Sequence, residues 1–161
     1  MRVVVMGVSG CGKSTLAAGL AQALDARFVD ADDLHPAANV ARMARGEALS
    51  DADRAPWLDR VAQVLAEGAP VVVACSALKR AYRDRLRAAG GVRFLYLAVP
   101  RAELAARMQA RTGHFMPPAL LDSQLATLEV PETDEAVTLD GTRPPAQVLA
   151  AAMAAVSGRF S

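Results

Sequence analysis

The sequence predicts an α/β fold of three layers, in which a parallel five-stranded sheet is covered by helices on both faces. Strand-sized apolar runs alternate with helical patterns along the chain, and runs such as residues 71–75 are apolar throughout. Continuous apolar strands are typical of parallel sheets that are buried on both faces. The length of 161 residues suits a single domain over residues 1–161.

Five apolar runs are the candidate strands, and they span residues 2–6, 27–29, 71–75, 92–99 and 136–139. Apolar residues at helical spacing predict helices over residues 13–24, 36–45, 78–87, 119–128 and 144–156, and two more around Leu58 and Leu104. Pro36 is tolerated as a first helical residue. Asp51 or Asp53 is the expected N-cap of the helix that carries Leu58.

Composition and charge exclude several classes of protein. A net charge of +1 gives no electrostatic footprint for nucleic acid or an anionic membrane surface. No apolar run reaches the roughly 18 residues that span a bilayer, and we see no signal peptide. Cys11 and Cys75 form neither a disulfide framework nor a metal-binding pattern. We therefore expect a cytoplasmic protein.

A glycine-rich loop follows the first strand and opens the first helix. It matches GxxxxGK[ST] at every fixed position, and it comprises Gly7, Val8, Ser9, Gly10, Cys11, Gly12, Lys13, Ser14 and Thr15. Glycines let backbone N–H groups converge on phosphate oxygens, and the helix N-terminus adds a positive dipole end. Lys13 is expected to reach the β- and γ-phosphates of ATP, and Ser14 to bind Mg²⁺.

The phosphate loop alone does not separate a switch GTPase from a kinase. A guanine-reading NKxD motif needs an Asn directly before a Lys, but the only Asn, Asn39, precedes Val40. This nearly excludes a switch GTPase.

An acidic segment, Asp30-Ala31-Asp32-Asp33, ends the second predicted strand. Ligands of open parallel sheets bind at the carboxyl ends of the strands, so we expect these carboxylates beside the phosphate loop. A turn between Asp30 and Asp32 would aim one at Mg²⁺ and the other at a substrate hydroxyl, as a catalytic base. The alternative is a solvated acidic loop.

Two arginines, Arg107 and Arg111, lie four residues apart on one face of a predicted helix. A break with Gly113 and two prolines follows. This pattern predicts a small mobile lid at about residues 111–119, whose arginines clamp the transferring phosphoryl group. The alternative is an exposed basic helix face.

Several runs together resemble the gluconokinases, in the shikimate-kinase-like branch of the P-loop kinases. They are MGVSGCGKST at 6–15, DADDLHP at 30–36, DRAPWL at 53–58, ACSALK at 74–79, YRD at 82–84, GHFM at 113–116, LLDSQ at 120–124 and ATLE at 126–129. The resemblance covers nearly the whole chain up to Glu129. It implies a P-loop kinase fold and ATP-dependent phosphorylation of D-gluconate at its 6-hydroxyl. It also implies ATP on the phosphate loop, Asp30 at Mg²⁺, Asp32 at the substrate hydroxyl, and a homodimer.

The residues give weaker, independent support for a sugar-acid substrate. A carboxylate favours an Arg fork or an ammonium, and the candidates are Arg54, Lys79 and Arg83. Hydroxyls favour Asp, His and Asn, and these candidates are Asp32, His35 and Asn39. His114 either lines the lid beside the substrate or packs. By fold analogy, the adenine-contacting loop is expected near residues 140–145.

Two other functions are weighed against this interpretation. A shikimate kinase usually has a Gly-rich triplet where this chain has Cys75-Ser76-Ala77. A non-catalytic nucleotide-binding module would need neither ordered carboxylates nor lid arginines.

Overall fold

The computed structural model describes residues 1–110 and 118–158, and within them it forms a parallel five-stranded sheet. The strands are β1 (Arg2–Met6), β2 (Arg27–Asp30), β3 (Val71–Ala74), β4 (Val92–Ala98) and β5 (Ala136–Asp140). Their order across the sheet is β2-β3-β1-β4-β5, and each neighbouring pair is parallel. The predicted fold class is confirmed. Because β1 is central, the loop after it lies in the middle of the edge where all five strands end.

Helices connect the strands. They are α1 (Lys13–Ala23), α2 (Ala37–Ala44), α3 (Asp51–Glu67), α4 (Arg80–Arg87), α5 (Arg101–Ala110), α6 (Pro118–Thr127) and α7 (Pro145–Ser157). A 3₁₀ turn, Ala31–Leu34, follows β2 directly. None of the helices in the described ranges is long and apolar enough to cross a membrane.

The sheet separates two apolar layers, and strand alternation assigns each residue to one of them. In β1, Val3 and Val5 point to the layer that contains α1 and α7, whereas Val4 and Met6 point to the layer of α3 and α4. Each layer buries apolar side chains from both the sheet and its helices, at about 25 cal/mol for every Å² removed from water. This two-sided burial explains why the central strands β1 and β3 are almost wholly apolar, whereas the edge strands β2 and β5 carry polar residues.

The start of α3 differs from the prediction. Ser50, not Asp51 or Asp53, is the N-cap: its side chain accepts a hydrogen bond from the Asp53 N–H. Asp53 is the N3 residue, and its carboxylate accepts from the Ser50 N–H at 2.9 Å. This is a reciprocal capping box, in which the acidic residue serves the cap without being the cap itself.

The predicted lid is outside the described residues except for Pro118 and Ala119, with which α6 begins. Arg111 and His114 fall in that segment, so their predicted roles stay predictions.

Candidate active site

The loop between β1 and α1 has a backbone that only glycine accommodates readily. Gly12 lies at φ 93° directly before α1, in the left-handed region. A Cβ at Gly7, whose φ is 155°, would come within 2.7 Å of the Cys11 Sγ. Among the residues that the structure describes, no side chain caps α1, so its first N–H groups are available to a bound anion.

Lys13 and Ser14 extend this loop into the cleft. Lys13 is only 6% exposed. A lysine is rarely buried to this extent unless its ammonium has a partner or a ligand. The Ser14 hydroxyl donates to the Asp30 Oδ2 at 2.9 Å, so a residue of α1 is joined to the end of β2. The phosphate loop and the acidic segment therefore form one site.

The 3₁₀ turn separates the two carboxylates of the acidic segment. The Asp30 Oδ1 accepts from the Asp32 N–H at 3.0 Å, while its Oδ2 faces Ser14. Asp32 keeps solvent access at the cleft, yet the protein around it raises the pKa of its carboxyl. The Lys13 ammonium opposes this rise, and Asp30 and Asp33 add to it. Asp32 therefore lies within the electrostatic reach of Lys13.

A second group of side chains lies next to the acidic turn and is held by a buried tryptophan. The Trp57 Nε1–H donates to the Ala31 carbonyl at 2.6 Å, and the His35 ring stacks on the Trp57 ring with centroids 4.2 Å apart. Burial, and then the nearby Arg54 charge, lowers the pKa of His35 to about 4, so the ring is neutral at pH 7.

The tautomer of His35 follows from its neighbour Asn39. The Asn39 Nδ2 donates to the Asp53 carbonyl at 2.9 Å, and this acceptor fixes which end of the amide carries the N–H groups. The same nitrogen lies 3.3 Å from the His35 Nδ1, which must then accept. The proton of the neutral ring is therefore on Nε2, where it is able to serve a ligand.

Three charged side chains surround the Tyr82 hydroxyl. That hydroxyl donates a hydrogen bond to Asp51 and accepts one from the Arg54 Nη1 at 3.1 Å. The Lys79 Nζ lies 3.0 Å from the Asp51 Oδ1. Lys79 is thus committed to an ion pair, whereas Arg54 uses one of its five donors here. Neither Asp51 nor Tyr82 was among the predicted site residues, because their contact joins α3 to α4 across 31 positions of the chain.

Arg83 does not join this group, which corrects its prediction as a substrate ligand. The side chain is 1% exposed and pairs with the Glu135 Oε1 at 2.8 Å. Its remaining N–H groups donate to the Glu135 Oε2 and to the carbonyls of Ala77, Leu78 and Glu129. All five donors are used, so Arg83 fixes the backbone after β3.

Arg107 approaches the phosphate loop from α5. Its Nη1 donates to the Cys11 carbonyl at 3.2 Å and its Nη2 to the Gly141 carbonyl at 2.7 Å. It thereby joins the phosphate loop to the loop after β5. The catalytic role predicted for Arg107 stays a prediction.

A cavity of about 390 Å³ opens next to this bridge. Its walls come from α1, β4, α5, the loop after β5 and α7, and they include Thr15, Leu16, Leu97, Gly141, Arg143, Pro145 and Leu149. The lining is mostly apolar and adjoins the phosphate loop, as a pocket for a nucleotide base requires. Residues 141, 143 and 145 of the expected adenine loop line it.

Gln124 was missed as a site residue, although it lies in the LLDSQ run. From α6 its Oε1 accepts from the Ser9 N–H at 2.8 Å, and its Nε2 donates to the Ser9 Oγ at 3.1 Å.

Ser14 and Asp30 are the protein oxygens most suited to a magnesium ion. Within residues 1–110 and 118–158, no three His, Cys, Asp or Glu side chains form a ready-made metal cage. A hydroxyl and one carboxylate fit Mg²⁺, which keeps several waters and takes its other ligands from substrate phosphates.

Comparison with known proteins gives consistent results. The AAA domain family matches residues 3–131. The gluconokinase of Gluconobacter oxydans (strain 621H) is 50% identical over 153 residues, which cover 91% of this chain and 86% of that protein. The crystal structure of a gluconokinase from Sinorhizobium meliloti 1021 has a TM-score of 0.91 and 46% identity, over 97% of this chain and 91% of that one. The shikimate kinase from Aquifex aeolicus vf5, at 16% identity and a TM-score of 0.65 over 98% of this chain and 97% of that one, shares the fold.

Arg83→Ala tests the structural role of the buried arginine. We expect the free energy of unfolding in urea to fall by about 3–5 kcal/mol, because Glu135 keeps only Arg87 as an ion-pair partner and the buried carbonyls of Ala77 and Leu78 lose their donor. Arg85→Ala, on the same helix, is the matched control: its exposed pair with Asp59 contributes about 0–1 kcal/mol. Equal losses for the two variants would contradict the structural role, and a selective effect of Arg83→Ala on substrate affinity would restore Arg83 as a ligand.

Proposed function

The chain belongs to the gluconokinase family, and on that premise we propose that it transfers the γ-phosphoryl group of ATP to the 6-hydroxyl of D-gluconate. The products are 6-phospho-D-gluconate and ADP. One observation carries the proposal at the level of chemistry: Ser14, Asp30 and Asp32 form a hydrogen-bonded chain within reach of the Lys13 charge. That chain joins a triphosphate site to a carboxylate with solvent access.

Asp32 is the proposed base. The 6-hydroxyl oxygen attacks the γ-phosphorus and its proton passes to the Asp32 carboxylate, while the bond from the γ-phosphorus to the bridging oxygen breaks and ADP leaves. Lys13 and the N–H groups of the phosphate loop stabilise charge on the phosphate oxygens. The raised pKa of Asp32 suits this role, because a stronger base accepts a proton more readily.

Ser14 and Asp30 are the residues that would hold Mg²⁺. The ion, when bound, neutralises charge on the β- and γ-phosphates. The Asp30 carboxylate also fixes the Asp32 backbone, so the same side chain orients the base.

Arg54 is the proposed partner of the gluconate carboxylate. Its guanidinium is half-buried, lies near His35 and spends one N–H on Tyr82. A planar fork suits a carboxylate better than the Lys79 ammonium, which Asp51 already neutralises. His35 donates from Nε2 to a substrate hydroxyl, and His114 is retained as a further substrate ligand.

Arg107 and Arg111 are retained as cations for the transferring phosphoryl group. Arg107 reaches the phosphate loop from α5, which supports a place beside the triphosphate. We further propose one catalytic domain that acts in the cytoplasm, where ATP is supplied, and that forms a homodimer as the resemblance implies.

A turnover assay with ATP and a panel of acceptors tests the function. We expect ADP release with gluconate and far less with shikimate or nucleotides.

Lys13→Ala should abolish turnover, because the phosphate oxygens lose the positive charge of the buried Lys13 ammonium. Circular dichroism checks that the variant is folded. A preference for shikimate, or near-normal turnover by Lys13→Ala, would contradict the proposal, and nucleotide binding without turnover would favour a binding module.

Asp32→Asn tests the base. We expect kcat to fall by about 10²-fold or more, because an amide does not accept the proton. In the unaltered protein, the fall of kcat/KM at acid pH should be centred above the ordinary pKa of aspartate, since partial desolvation by the surrounding protein raises the pKa of Asp32.

Asp33→Asn tests whether this acid limb reports the pKa of Asp32. It removes a carboxylate that adds to the rise in the pKa of Asp32, so the acid limb should move to lower pH with kcat largely retained. An unmoved limb, or an effect of Asp32→Asn confined to KM, would assign the proton to another group.

Arg54→Ala tests carboxylate recognition. We expect the KM for gluconate to rise about 10- to 100-fold with a smaller change in kcat, because a charge-assisted fork is lost. Arg54→Lys should restore only part of the affinity. With a polyol that lacks the carboxylate, Arg54→Ala and the unaltered enzyme should differ little; a larger KM effect of Lys79→Ala on gluconate would transfer the role to Lys79.

A further inference from the structure

The tip of the phosphate loop is held from outside by a residue 115 positions away in the sequence. The Ser9 N–H donates to the Gln124 Oε1, and the Gln124 Nε2 donates back to the Ser9 Oγ. A backbone N–H only donates, so the Gln124 carbonyl oxygen must face it, and the two contacts agree on a single orientation of the amide.

Ser9 lies at the centre of a turn that sets the direction of the rest of the loop. The Cys11 N–H bonds to the Val8 carbonyl at 3.3 Å and closes a turn with Ser9 and Gly10 at its centre. The chain leaves this turn directly into the N–H groups that lead to Lys13. Fixing the Ser9 N–H and hydroxyl therefore fixes the direction in which those groups point.

Gln124 acts from a rigid base. Leu121, one turn earlier on α6, is 3% exposed and packs in the layer that contains α1. After the helix, the Glu129 N–H bonds to the Leu78 carbonyl at 2.7 Å. Leu121 and Glu129 thus hold the chain on either side of Gln124, so the Gln124 amide is presented from a defined position.

We propose that Gln124 is a positioning residue that holds the phosphate loop in its nucleotide-binding conformation. A loop that spends only part of its time in that conformation binds nucleotide more weakly in proportion to the fraction that is competent. Since the loop binds the phosphates of ATP and ADP alike, Gln124 acts on nucleotide affinity and not on acceptor affinity. The inference rests on the proposed function, because it assigns ATP to this loop.

The test is ADP binding by calorimetry to Gln124→Met, which keeps the length and helix propensity of the side chain but removes both hydrogen-bonding groups. We expect the Kd for ADP to rise about tenfold, as for the loss of two hydrogen bonds. The KM for gluconate should stay close to that of the unaltered protein, and the thermal midpoint without ligand should fall by no more than a few degrees, as for the loss of two hydrogen bonds. Gln63→Met, at an exposed position of α3, is the matched control and should change none of these values.

A second variant follows the effect to Ser9. Ser9→Ala removes the hydroxyl but keeps the N–H, so it should raise the Kd for ADP by less than Gln124→Met does. The double variant with both changes should have the same Kd for ADP as Gln124→Met, because the hydrogen bond that Ser9→Ala removes is already lost.

Two results would overturn the inference. One is an unchanged Kd for ADP in Gln124→Met. The other is an equal rise of the Kd for ADP and the KM for gluconate, together with a large fall in the thermal midpoint, which would mean general destabilisation. Calorimetry also separates this failure from that of the proposed function, because ADP binding needs no acceptor. If the unaltered chain does not bind ADP, the proposed function fails; if it binds and Gln124→Met binds equally, only this inference fails.

Discussion

The hydrogen bond between Ser14 and Asp30 joins the two parts of the site on which the rest depends. It exists because β1 and β2 end at the same edge of a parallel sheet, with β3 between them. The bond brings a hydroxyl from the start of α1 to a carboxylate at the end of β2, and that carboxylate also holds the Asp32 N–H. A shift of either strand would separate the phosphate loop from the acidic turn, so the geometry of the sheet sets the geometry of the chemistry.

The substrate side of the site depends on the apolar layer beneath it. Trp57 is 1% exposed in that layer, yet its indole N–H reaches the Ala31 carbonyl in the acidic turn and its ring face supports His35. One buried side chain thus positions both the turn that carries Asp32 and a neutral histidine. Packing energy and site geometry are coupled here, since loss of the indole would disturb the core and the cleft together.

The cations of the chain divide by the partners that the fold gives them. Arg83 is enclosed by Glu135 and three carbonyls, and Lys79 is neutralised by Asp51. The hydrogen bond from Arg83, and then that from Arg87, lowers the pKa of Glu135 to about 2. Counting only partners within residues 1–110 and 118–158, Lys13 and Arg54 keep N–H donors for a ligand at the cleft. Burial and the nearest carboxylate therefore decide whether an arginine side chain stabilises the fold, as Arg83 does, or is available to a ligand, as Arg54 is.

The sequence by itself determined the five parallel strands, the phosphate loop and the acidic turn after β2, because apolar runs, glycine spacing and strand-end carboxylates are local patterns. It also placed Arg54 and His35 among the candidate ligands. It did not separate Arg83 from them, find the Ser50 cap in preference to an aspartate, or connect Gln124 with Ser9. The Ser50 cap is a local pattern between residues 50 and 53, whereas the other two depend on which side chains meet across the fold: Arg83 pairs with Glu135 from another element, and Gln124 reaches a loop 115 residues away. Local pattern fixes what each segment becomes, whereas only the tertiary structure decides which hydrogen-bond partner a polar side chain finds.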